Sequence, residues 1–167
     1  MNGILVRRSV SGDLQELTDI YNHYVKTSPA TFDLEPASLE ARREWMNRYA
    51  DAGRHRLLVA TLGDAIVGYA TSGRFREKPG YLTSVETTVY VHSDRQAQGI
   101  GACLYAGLFA ALASEDVHRA YAAIVIPNPA SVALHARFGF APVGLYHEAG
   151  RKFDRYWDVQ WFERPLP

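Results

Sequence analysis

Residues Thr83–Gly101 read TSVETTVYVHSDRQAQGIG. The stretch from Thr83 to His92 is rich in β-branched and aromatic residues, the composition of a buried strand. A polar turn, His92-Ser93-Asp94-Arg95, follows it. Gln96-Ala97-Gln98-Gly99-Ile100-Gly101 then opens a helix whose apolar residues Ile100, Leu104, Leu108 and Leu112 recur every four positions. A strand that passes through a glycine turn into a helix start is a device for holding phosphate. Unpaired backbone N–H groups point outward there, and the helix dipole favours negative charge. Spacing sets aside two nucleotide-binding motifs. The lysine and hydroxyl of a Walker A loop are absent, and Gly99-Ile100-Gly101 lacks the third glycine of a dinucleotide fingerprint.

The 167 residues are expected to form one domain, 1–167, with a substantial core. Lys plus Arg and Asp plus Glu both number 18, so nothing in the charge balance points to nucleic acid or to an anionic membrane surface. No apolar run is long enough to span a bilayer, and MNGILVRRSV lacks the apolar core of a signal peptide. Cys103 is the single cysteine, which reads as a small buried hydrophobe in a reducing, cytoplasmic setting. The six histidines include no H-x-x-x-H pair, so no metal is expected.

Outward from the central stretch, Ile4–Arg8 reads as a first strand. Asp13 and Glu16 cap a helix with Leu14, Leu17, Ile20, Tyr21, Tyr24 and Val25 on one face. Proline and threonine break the chain at Ser28–Phe32 before a second helix from Ser38 to Ala52. Arg56–Leu62 and Ala65–Gly73 form a hairpin about Gly63-Asp64. Arg119–Ile126 is a near-continuous apolar run, as in a central strand. Asn128-Pro129 starts a short helix that Gly139 ends. Strands at 140–148 and 154–164 flank Gly150-Arg151-Lys152-Phe153. The order is β-α-α-β-β-β-α-β-α-β-β, an α/β (α+β) chain with one mixed sheet.

Four stretches carry a family likeness: Ser84–Val91 (SVETTVYV) with Q-x-x-G-x-G at Gln96–Gly101, Asn128–His135, Phe138–Pro142 and Trp157-Asp158-Val159. Together they resemble the GNAT superfamily of N-acetyltransferases, and within it the phosphinothricin and methionine sulfoximine acetyltransferase branch. The resemblance implies the GNAT fold, a central sheet splayed between the strand over 83–92 (β4) and that over 119–126 (β5), with flanking helices. It implies acetyl-CoA as co-substrate, with its pantetheine arm paired to main-chain groups around Val89, Tyr90 and Val91. Gln96, Ala97, Gln98, Gly99, Ile100 and Gly101 would hold the pyrophosphate. Asn128 would bond a pantetheine amide or simply cap its helix. The implied reaction is direct transfer to the amine of a small amino-acid analogue, with a homodimer as the usual assembly. Another amine acceptor and a non-catalytic acyl-CoA-binding module stay open as alternatives.

Acetylation requires that an ammonium lose a proton, that a developing oxyanion be stabilised, and that a thiolate leave. Glu86, a carboxylate inside a Val/Thr/Tyr strand, is the candidate base, with a structural ion pair as the competing account. His135 is the second catalytic candidate, for the amine or the thiolate, against an exposed helical histidine. Tyr105 is a reserve acid. A main-chain N–H near Val89 or Tyr90 would face the oxyanion. For the acceptor, the Arg74-Phe75-Arg76 loop supplies cation and aromatic wall, Arg76 being the expected carboxylate clamp. Phe32, Glu86 and Thr87 complete the substrate set.

Overall fold

The computed structural model describes residues 3–167. Its strands are β1 (Ile4–Arg8), β2 (Arg56–Leu62), β3 (Ala65–Arg74), β4 (Ser84–Val91), β5 (Arg119–Ile126), β6 (Ala141–Lys152) and β7 (Arg155–Pro165). The α-helices are α1 (Leu14–Thr27), α2 (Leu39–Met46), α3 (Ile100–Leu112) and α4 (Pro129–Arg137). One seven-stranded sheet runs in the order β1-β2-β3-β4-β5-β7-β6. Every neighbouring pair is antiparallel except β4 and β5, which the crossover through α3 makes parallel.

The sheet buries both faces. On one side α3 and α4 pack onto Leu58, Ala70, Val85, Ala120, Ala122 and Ile124. The absence of charged residues from α3 follows from this burial, since Leu104, Tyr105 and Leu108 have no solvent exposure at all. On the other side Leu17 and Ile20 of α1, with Trp45 and Met46 of α2, cover Leu57, Val59, Ile66 and Tyr69. The Arg7 guanidinium ties β1 to the start of α1 through two bonds to Asp13, at 2.7 and 2.8 Å.

Two element boundaries differ from the sequence expectation. The second helix ends at Met46 instead of continuing to Ala52. Arg48 N–H and Tyr49 N–H bond three residues back, to Trp45 and Met46, so the chain tightens out of the α-helix there. The last hairpin turns at Phe153-Asp154, both with positive φ (53° and 56°), while Gly150 to Lys152 belong to β6.

The parting of β4 from β5 positions everything that follows. The two strands stay in register for three pairs only: Ser84 with Arg119, Val85 with Ala120 and Glu86 with Tyr121. The Thr87 hydroxyl reaches the Tyr121 carbonyl at 3.2 Å, marking the point of the fork. Beyond it β5 continues paired to β7 as far as Ile126, and β4 continues paired to β3 as far as Val91.

Candidate active site

The fork opens into a cleft of about 510 Å³ lined by β4, β5, the start of α3 and one face of α4. Ladder parity decides which main-chain groups of β4 face it. His92 N–H donates to the Val67 carbonyl at 2.9 Å. In an antiparallel ladder with unbroken register this turns the N–H and C=O of Tyr90 and Thr88 toward β3, and those of Val91, Val89 and Thr87 toward the cleft. Val89 and the Val91 N–H therefore present a free strand edge. Tyr90 also lines the cleft, but its main-chain N–H and C=O are used by β3, so it borders the space without adding to the free edge. The Val91 carbonyl also accepts the Tyr24 hydroxyl at 2.6 Å.

At the mouth of the cleft Gly99 is the N-cap of α3, held at φ 79°, a left-handed conformation that suits glycine. Gly101 answers to packing instead, because a Cβ there would lie 3.0 Å from the Leu134 side chain. Cys103 N–H makes the first intrahelical bond, to the Gly99 carbonyl, leaving the N–H groups of Ile100, Gly101 and Ala102 without helical partners. Gln96 is exposed and its amide donates to the Tyr24 hydroxyl at 3.3 Å. Ala97 takes positive φ (60°), and Ala97 and Gln98 are exposed in the same turn. Arg95 and Arg137 also line the cleft. Neither was legible as a site residue, since each reads as an ordinary surface cation. An extended amide chain ending in phosphates fits this set: a free strand edge, unpaired helix N–H groups and two guanidinium groups.

Asn128 sits at the inner end of α4 as its N-cap, its side-chain oxygen accepting Ser131 N–H at 3.1 Å. That oxygen serves the cap, and the amide NH₂ has no partner among the described residues and is available to a ligand.

Glu86 and Thr87 diverge. Glu86 lies on the β4 face covered by α1 and α2 and lines the cleft. Burial pushes its carboxyl above the ordinary carboxylate value, and the Arg76 charge nearby draws it part of the way back. Thr87 points to the opposite face, is 4% exposed, and bonds the Tyr105 hydroxyl at 3.2 Å. Strand alternation thus turns its side chain to the α3 side, away from Glu86, while the residue still borders the cleft.

His135 lies on the Thr87 side too. It is 5% exposed and enclosed by Tyr105, Phe140 and Phe162, which removes the exposed-histidine account. Its Nδ1 lies 2.7 Å from the Ser131 carbonyl, which can only accept, so Nδ1 carries the proton. Nε2 is then bare and accepts the Tyr105 hydroxyl at 2.7 Å. Burial lowers the pKa of this histidine, against the Ser131 carbonyl, which favours the proton.

In the acceptor loop Phe75 stacks on Tyr121 with 4.1 Å between centroids. Arg76 covers the Phe75 ring at 4.7 Å and sits toward Glu86. Arg74 folds back on its own loop, donating to the carbonyls of Arg76 and Glu77 and pairing with the Glu77 carboxylate, which corrects its assignment to the acceptor. Phe32 packs flat against Gly150, where a Cβ would come within 2.3–2.5 Å of its ring. Lys152 holds the same loop by donating to the Thr31 carbonyl at 2.7 Å. The end of β6, which the sequence left unplaced, packs against the loop that carries Phe32.

A mixed sheet forked between parallel β4 and β5, with a glycine-opened helix at the mouth of the fork, is the architecture of the GNAT acetyltransferases. The chain belongs to that family of N-acetyltransferases, matching the acetyltransferase (GNAT) domain over residues 7–161. It is 58% identical to a phosphinothricin N-acetyltransferase of Streptomyces coelicolor, over 98% of this chain and 96% of that one. It is 31% identical to an L-methionine sulfoximine/L-methionine sulfone acetyltransferase of Pseudomonas aeruginosa, over 96% of this chain and 94% of that one. The crystal structure of a phosphinothricin acetyltransferase from Sinorhizobium meliloti in complex with acetyl-CoA superposes with a TM-score of 0.91 at 29% identity, covering 98% and 89% of the two chains.

Proposed function

We propose that this protein transfers the acetyl group of acetyl-CoA directly to the amine of a small amino-acid analogue of the phosphinothricin or methionine sulfoximine type. The observation that carries the reading is Glu86: a carboxylate with raised pKa, beside Arg76, where the free edge of β4 begins. The names of the relatives support the acceptor class.

Acetyl-CoA supplies the electrophilic thioester when bound. Val89 and the Val91 N–H offer the free strand edge to its amide arm, and the α3 N-terminus with Arg95 and Arg137 receives its phosphates. Asn128 contributes its free NH₂ group. The Val89 N–H, fixed by the sheet, meets the charge that develops on the acyl oxygen at little reorganisation cost. Arg76 takes the acceptor's carboxylate, and Phe75 with Phe32 walls the acceptor in. Glu86 removes the proton from the bound ammonium, either directly or through water. His135 lines the cleft, with Nδ1 on the Ser131 carbonyl and Nε2 on the Tyr105 hydroxyl, and serves either the amine proton or the departing CoA thiolate. The reading includes a homodimer, supported by the exposed Val143, Leu145 and Tyr146 on the edge strand β6.

Thiol release from acetyl-CoA, measured with phosphinothricin, methionine sulfone and spermidine, tests this. Glu86→Gln keeps the shape and removes the base, and kcat/KM should fall by about 10²–10⁴-fold. The acidic limb of the wild-type pH profile should sit above the ordinary carboxylate value of 4.5, in line with the raised pKa, and disappear in the variant. Turnover of spermidine alone would reject the acceptor class. Tight acetyl-CoA binding with no turnover of any amine would leave a binding module.

A further inference from the structure

A second cavity, of about 350 Å³, lies between α2 and the sheet. Arg42 reaches into it from α2 and is only 5% exposed. Its guanidinium stacks on Trp45 at 3.5 Å and on Tyr21 at 4.4 Å, and donates to the Tyr69 hydroxyl at 3.4 Å. Its Nε is buried with no hydrogen-bond partner. Among the described residues no carboxylate forms an ion pair with it. Asp33 and Arg48 border the same space, but the Asp33 carboxylate already accepts the Tyr21 hydroxyl and feels the charge of Lys152. The cavity thus carries excess positive charge.

A buried guanidinium without a counter-anion is costly. Stacking on aromatic rings uses its flat faces and satisfies none of its N–H groups. The in-plane N–H edge that stays free matches a carboxylate or phosphinate, which accepts two parallel bonds. Thr88 and Tyr90 line this cavity. They share a β4 face with Glu86, and Thr88 stands two residues from it, about 7 Å along the strand.

We propose that the cavity beneath α2 is an oxyanion subsite of the acceptor pocket, in which Arg42 holds the anionic side-chain end of the acceptor while Arg76 holds its α-carboxylate. The inference rests on the acceptor reading of the Glu86 face. It makes an acceptor with two anionic groups, such as phosphinothricin, better bound than methionine sulfone, whose side-chain oxygens are tetrahedral but carry no net charge.

Steady-state kinetics of the full chain, wild type against Arg42→Met and Arg42→Lys, separate the cases. KM for phosphinothricin should rise about 10-fold or more in Arg42→Met, the loss of a charge-assisted hydrogen bond, with Arg42→Lys falling between. KM for methionine sulfone should move by less than about 3-fold on the same scale. Equal loss on both acceptors would make Arg42 purely structural and overturn the proposal. A second measurement needs no variant: titrate methylphosphinate into the wild-type protein and follow the Arg42 Nε–H resonance, assigned from its NOEs to the Trp45 ring. A saturable shift supports the subsite even if neither acceptor is turned over, an outcome that would sink the acceptor reading alone. An unmoved resonance overturns the subsite.

Discussion

Tyr105 and His135 form a buried polar pair, and each depends on the other. The Tyr105 hydroxyl has the His135 Nε2 and the Thr87 hydroxyl as its partners, inside a core where the ring itself has no exposure. Tyr105→Phe should therefore cost about 1–3 kcal/mol of stability, the penalty for an unsatisfied buried acceptor. It should also raise the His135 pKa, because the lost bond stabilised the neutral ring. The sign of the wild-type pH dependence follows from the lowered folded-state pKa. Stability from His135 is full above its ordinary value of 6.5 and falls as pH drops below it toward the folded value. Imidazole ¹⁵N shifts and thermal melts between pH 5 and 8 check both statements, and a titration unchanged by Tyr105→Phe would refute the coupling. Glu86 was legible in the sequence because a carboxylate inside an apolar strand contradicts its surroundings. Arg42 was not, because an arginine on a short amphipathic helix reads as solvent-facing until Trp45, Tyr21 and Tyr69 are seen to enclose it.

At the scale of elements, β6 and the loop between α1 and α2 act on each other. Phe32 lies on the bare backbone of Gly150, and Lys152 anchors the neighbouring Thr31 carbonyl. Gly150→Ala places a methyl group inside the Phe32 ring, so the ring must swing away. The expected result is a severalfold rise in acceptor KM, with acetyl-CoA affinity within about 2-fold of wild type, since Val89, Val91 and α3 are untouched. Unchanged acceptor KM would show that Phe32 does not wall the pocket. The order of elements along the chain, the glycine start of α3 and the Asn128 helix start could be read in advance because local pattern and tertiary role agree there. The contact of Gly150 with Phe32 could not, since it joins residues 118 positions apart and has no local signature. The end of α2 was missed for a related reason. No glycine or proline stands between Met46 and Gly53, and the chain leaves the helix through backbone bonds that any residue can make.

Across the whole molecule the sheet is two ladders, β1-β2-β3-β4 and β5-β7-β6, joined by three register pairs and by the α3 core on one face. Such a fork leaves a row of unpaired main-chain groups in the middle of a sheet, where a closed fold would normally satisfy them. If the amide arm of acetyl-CoA completes that row, binding should tighten the junction between the two ladders. Hydrogen exchange on the free protein should show alternation along β4. The Val89 and Val91 amides, turned to the cleft, should exchange at least 10-fold faster than those of Thr88 and Tyr90, which β3 holds. Saturating CoA should slow Val89 and Val91 until the alternation disappears, while Thr88 and Tyr90 gain only the general protection that ligand binding confers. Equal protection of all four amides before CoA is added would mean that the edge is already satisfied. The cleft would then be a gap between strands and not a place prepared for one more.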